Sequence, residues 1–427
     1  MRRIIAPSLT LLVLLAACGG GVAITSTVAP TTATTTTAPP TTTTTAPPTT
    51  TTTTLPAALD ELVWSRVPHD AALLGDASMS TVVAGGPGLL AFGSGGGDSD
   101  LVVWASADGI AWTMLGMGAV DSEGPVWLHD AVVGGPGLVA VGAKPATEDF
   151  DVIVWTSTDG DSWVEVPDET GARSGSGDQA AFSLAVGGPG LVAVGYEEYE
   201  DEMDGAVWTS PDGITWTRVP DGLGVFGGPG DQRIFAVTVG GPGLVAVGEE
   251  FRDDALGIAV WVSPDGFAWT RVPDDAGVLS GLGEYSAFSV VAGGPGLVMV
   301  GRVSAGEIGS DGAAWWSTDG STWVRGDPDG ALTGPGNQTL VSVVAAGNGL
   351  VAAGRDDSLG EEDAAVWMST DGITWVDVST DPAVFGGQYS QYVAGMTVWD
   401  SGIVIVGWEQ SASHSSAVIW VGMPRAG

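Results

Sequence analysis

One short phrase returns seven times along this chain and limits what the chain can become. Gly-Gly-Pro-Gly-Leu-Val-Ala-Val-Gly, with small variations, places its fourth residue at Gly88, Gly137, Gly190, Gly243, Gly296, Gly349 and Gly402, a spacing of 49 once and then 53 five times. Between the copies runs a second phrase, Trp-x-Ser-x-Asp-Gly-x-x-Trp. It occurs as Trp104/Trp112, Trp155/Trp163, Trp208/Trp216, Trp261/Trp269, Trp315/Trp323 and Trp367/Trp375. Self-similarity at this period means an array of one supersecondary unit, in which neighbours bury each other's apolar faces. The copies do not match in number, seven against six. The seventh repeat reaches Trp420 and lacks the stretch that carries the second Trp. That stretch stands at the other end of the repeat region: Leu62-Val63-Trp64-Ser65-Arg66-Val67-Pro68 matches Ile214-Thr215-Trp216-Thr217-Arg218-Val219-Pro220. The N-terminal segment should therefore complete the last repeat and close a ring. An open solenoid would need polar capping repeats, and neither end reads as a cap.

Each repeat supplies four short apolar or alternating runs cut by Gly and Pro, the pattern of strands and not of helices. Strand A is typified by Ser289–Ala292, B by Leu297–Val300, C by Ala206–Thr209 and D by Ile214–Val219. Gly-Pro-Gly makes the A–B connection a tight hairpin, and Asp-Gly marks the C–D turn. Four antiparallel strands at a period near 50 make a propeller blade. The expected fold is all-β, a seven-bladed β-propeller of four-stranded antiparallel blades spanning 58–427.

Ser369-Thr370-Asp371-Gly372-Ile373-Thr374-Trp375 resembles the Asp-box of bacterial neuraminidase repeats, which reads Ser-x-Asp-x-Gly-x-Thr-Trp. It departs from it by one residue deleted between Asp and Gly, a deletion shared by the copies at 106–112, 157–163, 210–216, 263–269 and 317–323. The resemblance to sialidase-type propellers covers nearly the whole repeat region as architecture. It implies that Asp108, Asp159, Asp212, Asp265, Asp319 and Asp371 stabilise turns away from any catalytic centre. The Trp pairs are expected to pack between blades with their indole N–H groups bonded.

Residues 1–17 read as a signal peptide: Met-Arg-Arg, an apolar run from Leu9 to Leu15, then small residues. Leu15-Ala16-Ala17-Cys18 resembles the lipobox of bacterial lipoproteins, which implies cleavage before Cys18 and acylation of that residue, the single Cys of the chain. Acyl chains in this number hold a protein stably on a bilayer. From Thr31 to Thr54 the chain contains only Thr, Ala and Pro. Such a segment has no apolar surface to offset chain entropy and reads as a disordered, semi-stiff stalk over 18–57. The expected address is the outer face of the cell membrane.

Fifty-one Asp and Glu stand against 13 Lys and Arg, a net charge of −38. A nucleic-acid partner is excluded on this balance, because phosphates require a basic face. No two of His69, His129 and His414 have metal-ligand spacing, and no Gly-x-Ser-x-Gly elbow occurs. A sialidase would need three clustered Arg, a Tyr with a Glu partner and an acidic Asp. Arg66, Arg218, Arg271 and Arg325 recur at one strand-D position and read as structural. Arg302 and Arg355, equivalent in adjacent blades, are the pair that could converge on an anion in the central funnel.

Most of the acids fall in the B–C and D–A stretches, which share one rim of a propeller, while the repeated A–B and C–D turns share the other. Variable loops on a rigid scaffold are where binding concentrates. The candidate binding rim is Glu197, Glu198, Glu200, Asp201, Glu202 and Asp204 in blade three, with Asp356, Asp357, Glu361, Glu362 and Asp363 in blade six. Alternatives for this face are a solubilising surface that keeps the protein monomeric, and a Ca²⁺ site, although no Asp-x-Asp-x-Asp-Gly loop is present. Gln179, Gln232, Gln338 and Gln391 all lie 11 residues before the fourth position of the hairpin phrase. They either line the upper mouth of the channel or fix the D–A loops by hydrogen bonding. The sequence thus points to a membrane-anchored lipoprotein whose propeller is a non-catalytic binding or assembly module for an envelope protein or polysaccharide. The alternative is a sialidase-like glycoside hydrolase working in the funnel. No cofactor is required by either reading.

Overall fold

The computed structural model describes residue 59 and residues 62–425, apart from breaks at 96–99, 116–125, 200–201, 223, 253–254, 305–308, 328–329, 359, 401 and 412–413. Cys18 and the stalk lie outside the described residues, as do Glu200 and Asp201 of the candidate rim. The strands form seven four-stranded antiparallel sheets. Blade 3 is representative, with strands Gln179–Gly187, Gly190–Tyr199, Glu202–Ser210 and Thr217–Arg218 paired in that order. In blade 7 the strands Ser390–Trp399, Gly402–Gln410 and Ser415–Pro424 come from the C-terminal repeat, and the outer strand is Leu62–Arg66. Leu62 pairs with Pro424 and Arg66 with Trp420, so the ring closes as the repeat count requires.

The strands differ in length from the sequence reading. Strand D is short, only Thr217–Arg218 in blade 3, because Ile214 to Trp216 are held by the C–D turn. Strands B and C are longer, so that Glu197, Glu198, Glu202 and Asp204 lie on an extended ladder (Glu197↔Asp204, Glu198↔Met203) and not in a loop. A hairpin can keep pairing through charged residues when its end projects into water, and composition does not mark where such pairing stops.

Two buried Trp positions hold each blade. Trp104, Trp155, Trp208, Trp261, Trp315, Trp367 and Trp420 on strand C are at most 2% exposed. Each buries about 150–250 Å², roughly 4–6 kcal/mol at about 25 cal/mol per Å². Except at Trp155, whose buried indole N–H has no partner among the described residues, their indole N–H groups reach carbonyls of the D–A loops, as in Trp208 to Ala172 (2.8 Å) and Trp261 to Val225 (2.8 Å). The residue after each such carbonyl then plugs the blade: Leu74, Phe226, Leu279, Leu332 and Phe385 are all nearly inaccessible, and Arg173 occupies the same place in the loop that enters blade 3.

Every inner strand carries one β-bulge, between Met79/Thr81, Leu128/Asp130, Ala181/Ser183, Ile234/Ala236, Ala287/Ser289, Leu340/Ser342 and Val393/Gly395. Bulges re-aim side chains. Here they bring His129, Phe182, Phe235 and Phe288 into an arc of ring contacts across four neighbouring blades, with centroids 5.2, 5.8 and 5.8 Å apart. The residue after the bulge ties one inner strand to the next. Asp130 accepts from Leu184 N (2.8 Å), Ser183 from Val237 N (3.3 Å) and Ser289 from Val343 N (3.2 Å).

Candidate functional site

The C–D turns settle the role of the repeated aspartates. In the turn at 369–375, Asp371 Oδ1 accepts from Ile373 N (2.9 Å) and Thr374 N (2.8 Å), and Ser369 Oγ accepts from Gly372 N (2.8 Å). The same bonds recur around Asp108, Asp159, Asp212, Asp265 and Asp319. Backbone N–H donors hold all of these carboxyls below the ordinary range; in Asp371, burial pushes upward and the Thr374 and Ile373 donors more than offset it. In the other five copies the second Trp of the phrase closes the turn by donating to the turn glycine, as in Trp216 to Gly213 O (3.1 Å), while the Trp375 indole N–H is buried without a partner among the described residues.

At the other rim, many of the candidate acids carry structural duties. Glu197 pairs with Arg218, whose guanidinium lies 5.3 Å from the Trp208 ring. Arg271 with Glu250 (3.0 Å) and Arg66 with Glu409 (2.8 Å) repeat that pair in blades 4 and 7. Asp356 accepts from Gln338 Nε2 (3.1 Å) and Ser358 N (2.7 Å), and Asp357 from Asn337 Nδ2 (2.6 Å). The backbone N–H groups of Gly228 and Gly387 pull the carboxyls of Asp204 and Asp363 down. Burial is the largest influence on both and raises them; like-charge neighbours add to it, Asp221, Glu197 and Glu202 around Asp204 and Asp356 and Glu361 around Asp363. The side chains of Glu198, Glu202 and Glu361 make no hydrogen bond or ion pair among the described residues. The acid-rich rim is thus part scaffold, in which carboxylates cap loops, and part free charge.

The four glutamines do not open on the channel. All are buried, and their Nε2 atoms donate into the D–A loops, Gln179 to Gly177 O (2.6 Å), Gln232 to Pro229 O (3.3 Å), Gln338 to Pro335 O (3.0 Å) and Gln391 to Tyr389 O (2.8 Å). Their Oε1 atoms are buried without a partner.

One pair further along the ladder, the inner two strands carry a polar belt. Arg233↔Glu249, Ser286↔Arg302, Thr339↔Arg355 and Tyr392↔Trp408 are equivalent pairs in blades 4 to 7. Glu249 lies 3.4 Å from Arg233 and within the influence of Arg302; burial raises its carboxyl and the two guanidiniums oppose that. Arg302 and Arg355 therefore occupy the same level in adjacent blades, but each works beside a carboxylate, since Arg355 pairs with Glu362 at 3.3 Å. Arg355 also lies 5.4 Å from the Tyr392 ring, which stacks on Trp408 at 5.2 Å. The Tyr392 phenol lies under the influence of Glu362, and that interaction, followed by burial, raises it.

Sequence reasoning did not single out Arg233, Glu249, Tyr392 or the aromatic arc. The signal was present: Tyr196, Glu249, Arg302, Arg355 and Trp408 sit at intervals of 53, and so do His129, Phe182, Phe235 and Phe288. Among the described residues no group of three His, Cys, Asp or Glu side chains is placed to hold a metal ion.

No family model matches this chain, and no curated protein matches it. Solved structures do. The sialidase of Trypanosoma rangeli in complex with the inhibitor DANA is 16% identical over 70% of this chain, with a TM-score of 0.41. A Dyadobacter fermentans protein of unknown function is 12% identical over 86% of this chain and 100% of its own, TM-score 0.43. A thermostable family-43 glycoside hydrolase is 12% identical over 54% of this chain and 84% of its own, TM-score 0.32. The chain covers 56% of the trypanosomal sialidase's length. Likenesses of this size say nothing of chemistry, and the seven-bladed architecture rests on the strand pairing itself.

Proposed function

We propose that this protein is an exported lipoprotein, held on the outer face of a cell membrane through Cys18 and the Thr/Pro stalk, whose propeller is a non-catalytic binding module working through its loop rim. The observation that supports this most is where the chain joins the ring. Leu59 packs against Gly349, in the A–B hairpin of blade 6, and the strand Leu62–Arg66 runs from the turn rim towards the loop rim. Leu59 and the start of this strand thus lie on the turn rim, opposite the acidic loops. The guanidiniums at the channel mouth stand beside Glu249 and Glu362, an arrangement that suits a braced rim more than an open anion cradle. The partner is an envelope protein or polysaccharide, and the protein works as a monomer. The test is photo-crosslinking in the native cells with a probe at position 202 on the loop rim and at position 321 on the turn rim. A distinct partner captured only from 202 is the expected result; equal capture from both, or capture only from 321, overturns the reading.

A second reading, a sialidase-like glycoside hydrolase with its site in the funnel, is favoured by one observation, the Tyr392–Glu362 pair beside Arg355. It predicts saturable turnover of a glycoside, lost in Tyr392→Phe and Arg355→Ala. A glycoside panel without turnover removes it.

A further inference from the structure

The first three strands of blade 4 end on a cavity of ≈ 290 Å³ at the loop rim, lined by Asp231, Arg233, Glu249, Phe251 and Leu256. That size is near the lower end of small-ligand sites, about 300–1,000 Å³. The lining is accessible. Phe251 is 44% exposed, Asp231 and Leu256 are half-buried, and the side chains of Arg233 and Glu249 are 34% and 15% exposed. The lining is also held in place. Phe251 stands opposite Leu256 on the B–C ladder, and Arg233 opposite Glu249 on the A–B ladder. Phe251 N donates to Asp231 O (2.7 Å), which ties the hairpin to the entry of strand A. The polar groups are only partly used. Asp231 Oδ1 accepts from Met203 N (3.1 Å). Arg233 Nε reaches Met203 S (3.0 Å), and Nη1 reaches Glu249 Oε1 (3.4 Å). Asp231 Oδ2 and Arg233 Nη2 make no bond among the described residues. Acceptors and donors thus line one space beside an aromatic ring. The combination belongs to blade 4. In blade 3 the equivalent pairs are Ala180↔Tyr196 and Glu198↔Met203, and in blade 5 they are Ser286↔Arg302 and Ser304↔Ser310. Blade 2 has an apolar hairpin end, Pro145↔Phe150, but its inner pair is Trp127↔Ala143, and the Trp127 ring packs on Phe150 at 5.4 Å.

We propose that this cavity binds one residue of a neutral hexopyranose polysaccharide. The Phe251 ring offers a rigid apolar surface on which the C–H face of a pyranose can rest. A hydroxyl both donates and accepts, whereas a carboxylate only accepts and a guanidinium only donates. A lining that holds both kinds satisfies neighbouring hydroxyls of one sugar ring, through charge-assisted bonds. A charged ligand fits worse. An anion would be desolvated beside Asp231 and Glu249, and a cation beside Arg233, each next to a charge of its own sign. The proposal rests on the reading of the loop rim as a binding face and takes the polysaccharide of its two partners. It stands apart from Arg355, Glu362 and Tyr392, the residues on which the hydrolase reading depends.

The test uses the propeller with its tether and titrates cellohexaose, maltohexaose and mannohexaose, with the galacturonate hexamer as the anionic control and the protonated chitosan hexamer as the cationic one. Binding is followed by nuclear magnetic resonance or calorimetry. At least one neutral hexamer is expected to bind at least tenfold more tightly than either charged one. Phe251→Ala should weaken it at least tenfold, and Phe251→Tyr should retain it. Phe251 is partly exposed, so an unchanged unfolding midpoint in Phe251→Ala assigns the loss to the site and not to the fold. Asp231→Asn keeps an acceptor for Met203 N, and it should also weaken binding. No binding of any neutral hexamer, equal or tighter binding of a charged one, or binding indifferent to Phe251→Ala overturns the proposal. Neutral binding that survives Phe251→Ala and is lost in Tyr392→Phe moves the glycan to the channel mouth and overturns it as well. A polypeptide captured in cells from a probe at position 256, with no hexamer bound, gives this cavity to a protein and overturns the polysaccharide. Capture at position 202 reports separately on the rim, so the subsite can fail while the rim reading stands.

Discussion

At the turn rim, the second glycine of five hairpin phrases presses against the next blade's C–D turn. A Cβ on Gly86, Gly135, Gly188, Gly241 or Gly294 would meet the backbone oxygen of Asp159, Asp212, Asp265, Asp319 or Asp371 at 2.7 to 3.2 Å. At the loop rim, Gly171, Gly222, Gly224, Gly277 and Gly360 have nothing within 4 Å of that position. The turn rim repeats closely because these five copies are packed against their neighbours. The loop rim mixes glycines without neighbours with packed ones such as Gly177 and Gly227, and its unpacked stretches are where a surface is free to be shaped for a ligand. The comparison also separates two uses of aspartate. On the turn rim it is a cap with two or more backbone donors, and on the loop rim several carboxylates are crowded by others of the same charge.

The largest effect that would break this contrast concerns those glycines. Gly135 has φ of 54° and a Cβ position 2.7 Å from Asp212 O. Gly135→Ala should therefore cost about 2–4 kcal/mol. Gly222→Ala should be neutral or should stabilise by about 0.4–1 kcal/mol, through the unfolded chain. Chemical denaturation of both variants checks this, and similar losses at the two sites would remove the distinction. Next in size, Asp371→Ala leaves two N–H groups without their acceptor and should cost about 1–2 kcal/mol.

The two rims should also respond to acid with opposite sign. The turn aspartates have folded values below the ordinary one, so their stabilisation is complete above the unfolded value and is lost as pH falls through the folded one. Asp204 and Asp363 are raised, so their cost is absent at low pH, sets in as pH rises past the unfolded value and is complete above the folded one. Hydrogen exchange at acid and neutral pH should show the turns loosening in acid while the loop rim holds. Between the rims lies Asp130, which burial pushes up to about 6 while the Leu184 and Ala131 N–H groups pull it down. Asp130→Asn retains an acceptor for Leu184 N and removes the charge. Its unfolding midpoint should exceed that of the wild type above pH 6 and match it below pH 3.8.

The same division explains what was legible in the sequence. Seven blades and their closure could be read because the strands are tied to repeated turn chemistry: Gly135 and Gly137 both have positive φ, and Asp371 with Ser369 defines a turn locally. The capping role of the aspartates followed from the motif for the same reason. The extent of strands B and C was not legible, because Glu197↔Asp204 pairing depends on a ladder already formed and not on the residues' own preference. The bulges left no mark in composition, so the arc of Phe182, Phe235 and Phe288 was visible only as a 53-residue interval without a direction. The loop-rim acids are legible as a group and not one by one, because the difference between Asp357, whose carboxylate is bonded to Asn337, and Glu198, whose carboxylate has no bond among the described residues, lies in tertiary contacts.

That last difference leads to the smallest and most discriminating prediction. Glu361 is exposed, has no bond among the described residues and adds repulsion to Asp363. Glu361→Gln should change stability by less than about 0.5 kcal/mol, in the stabilising direction if any, because an exposed charge without a partner contributes little and a like-charged neighbour disfavours it. Asp357→Asn, on the same stretch, weakens its acceptance from Asn337 and should destabilise, by about 1 kcal/mol. If the loop rim were only a solubilising coat, the two substitutions would be interchangeable and both silent. If it is scaffold and free charge interleaved, they diverge, and the residues that prove silent in stability, Glu198, Glu202 and Glu361, are the ones left to face a partner. A thermal denaturation series over these positions therefore maps the binding surface before any partner is in hand, by subtraction of the carboxylates the fold itself requires.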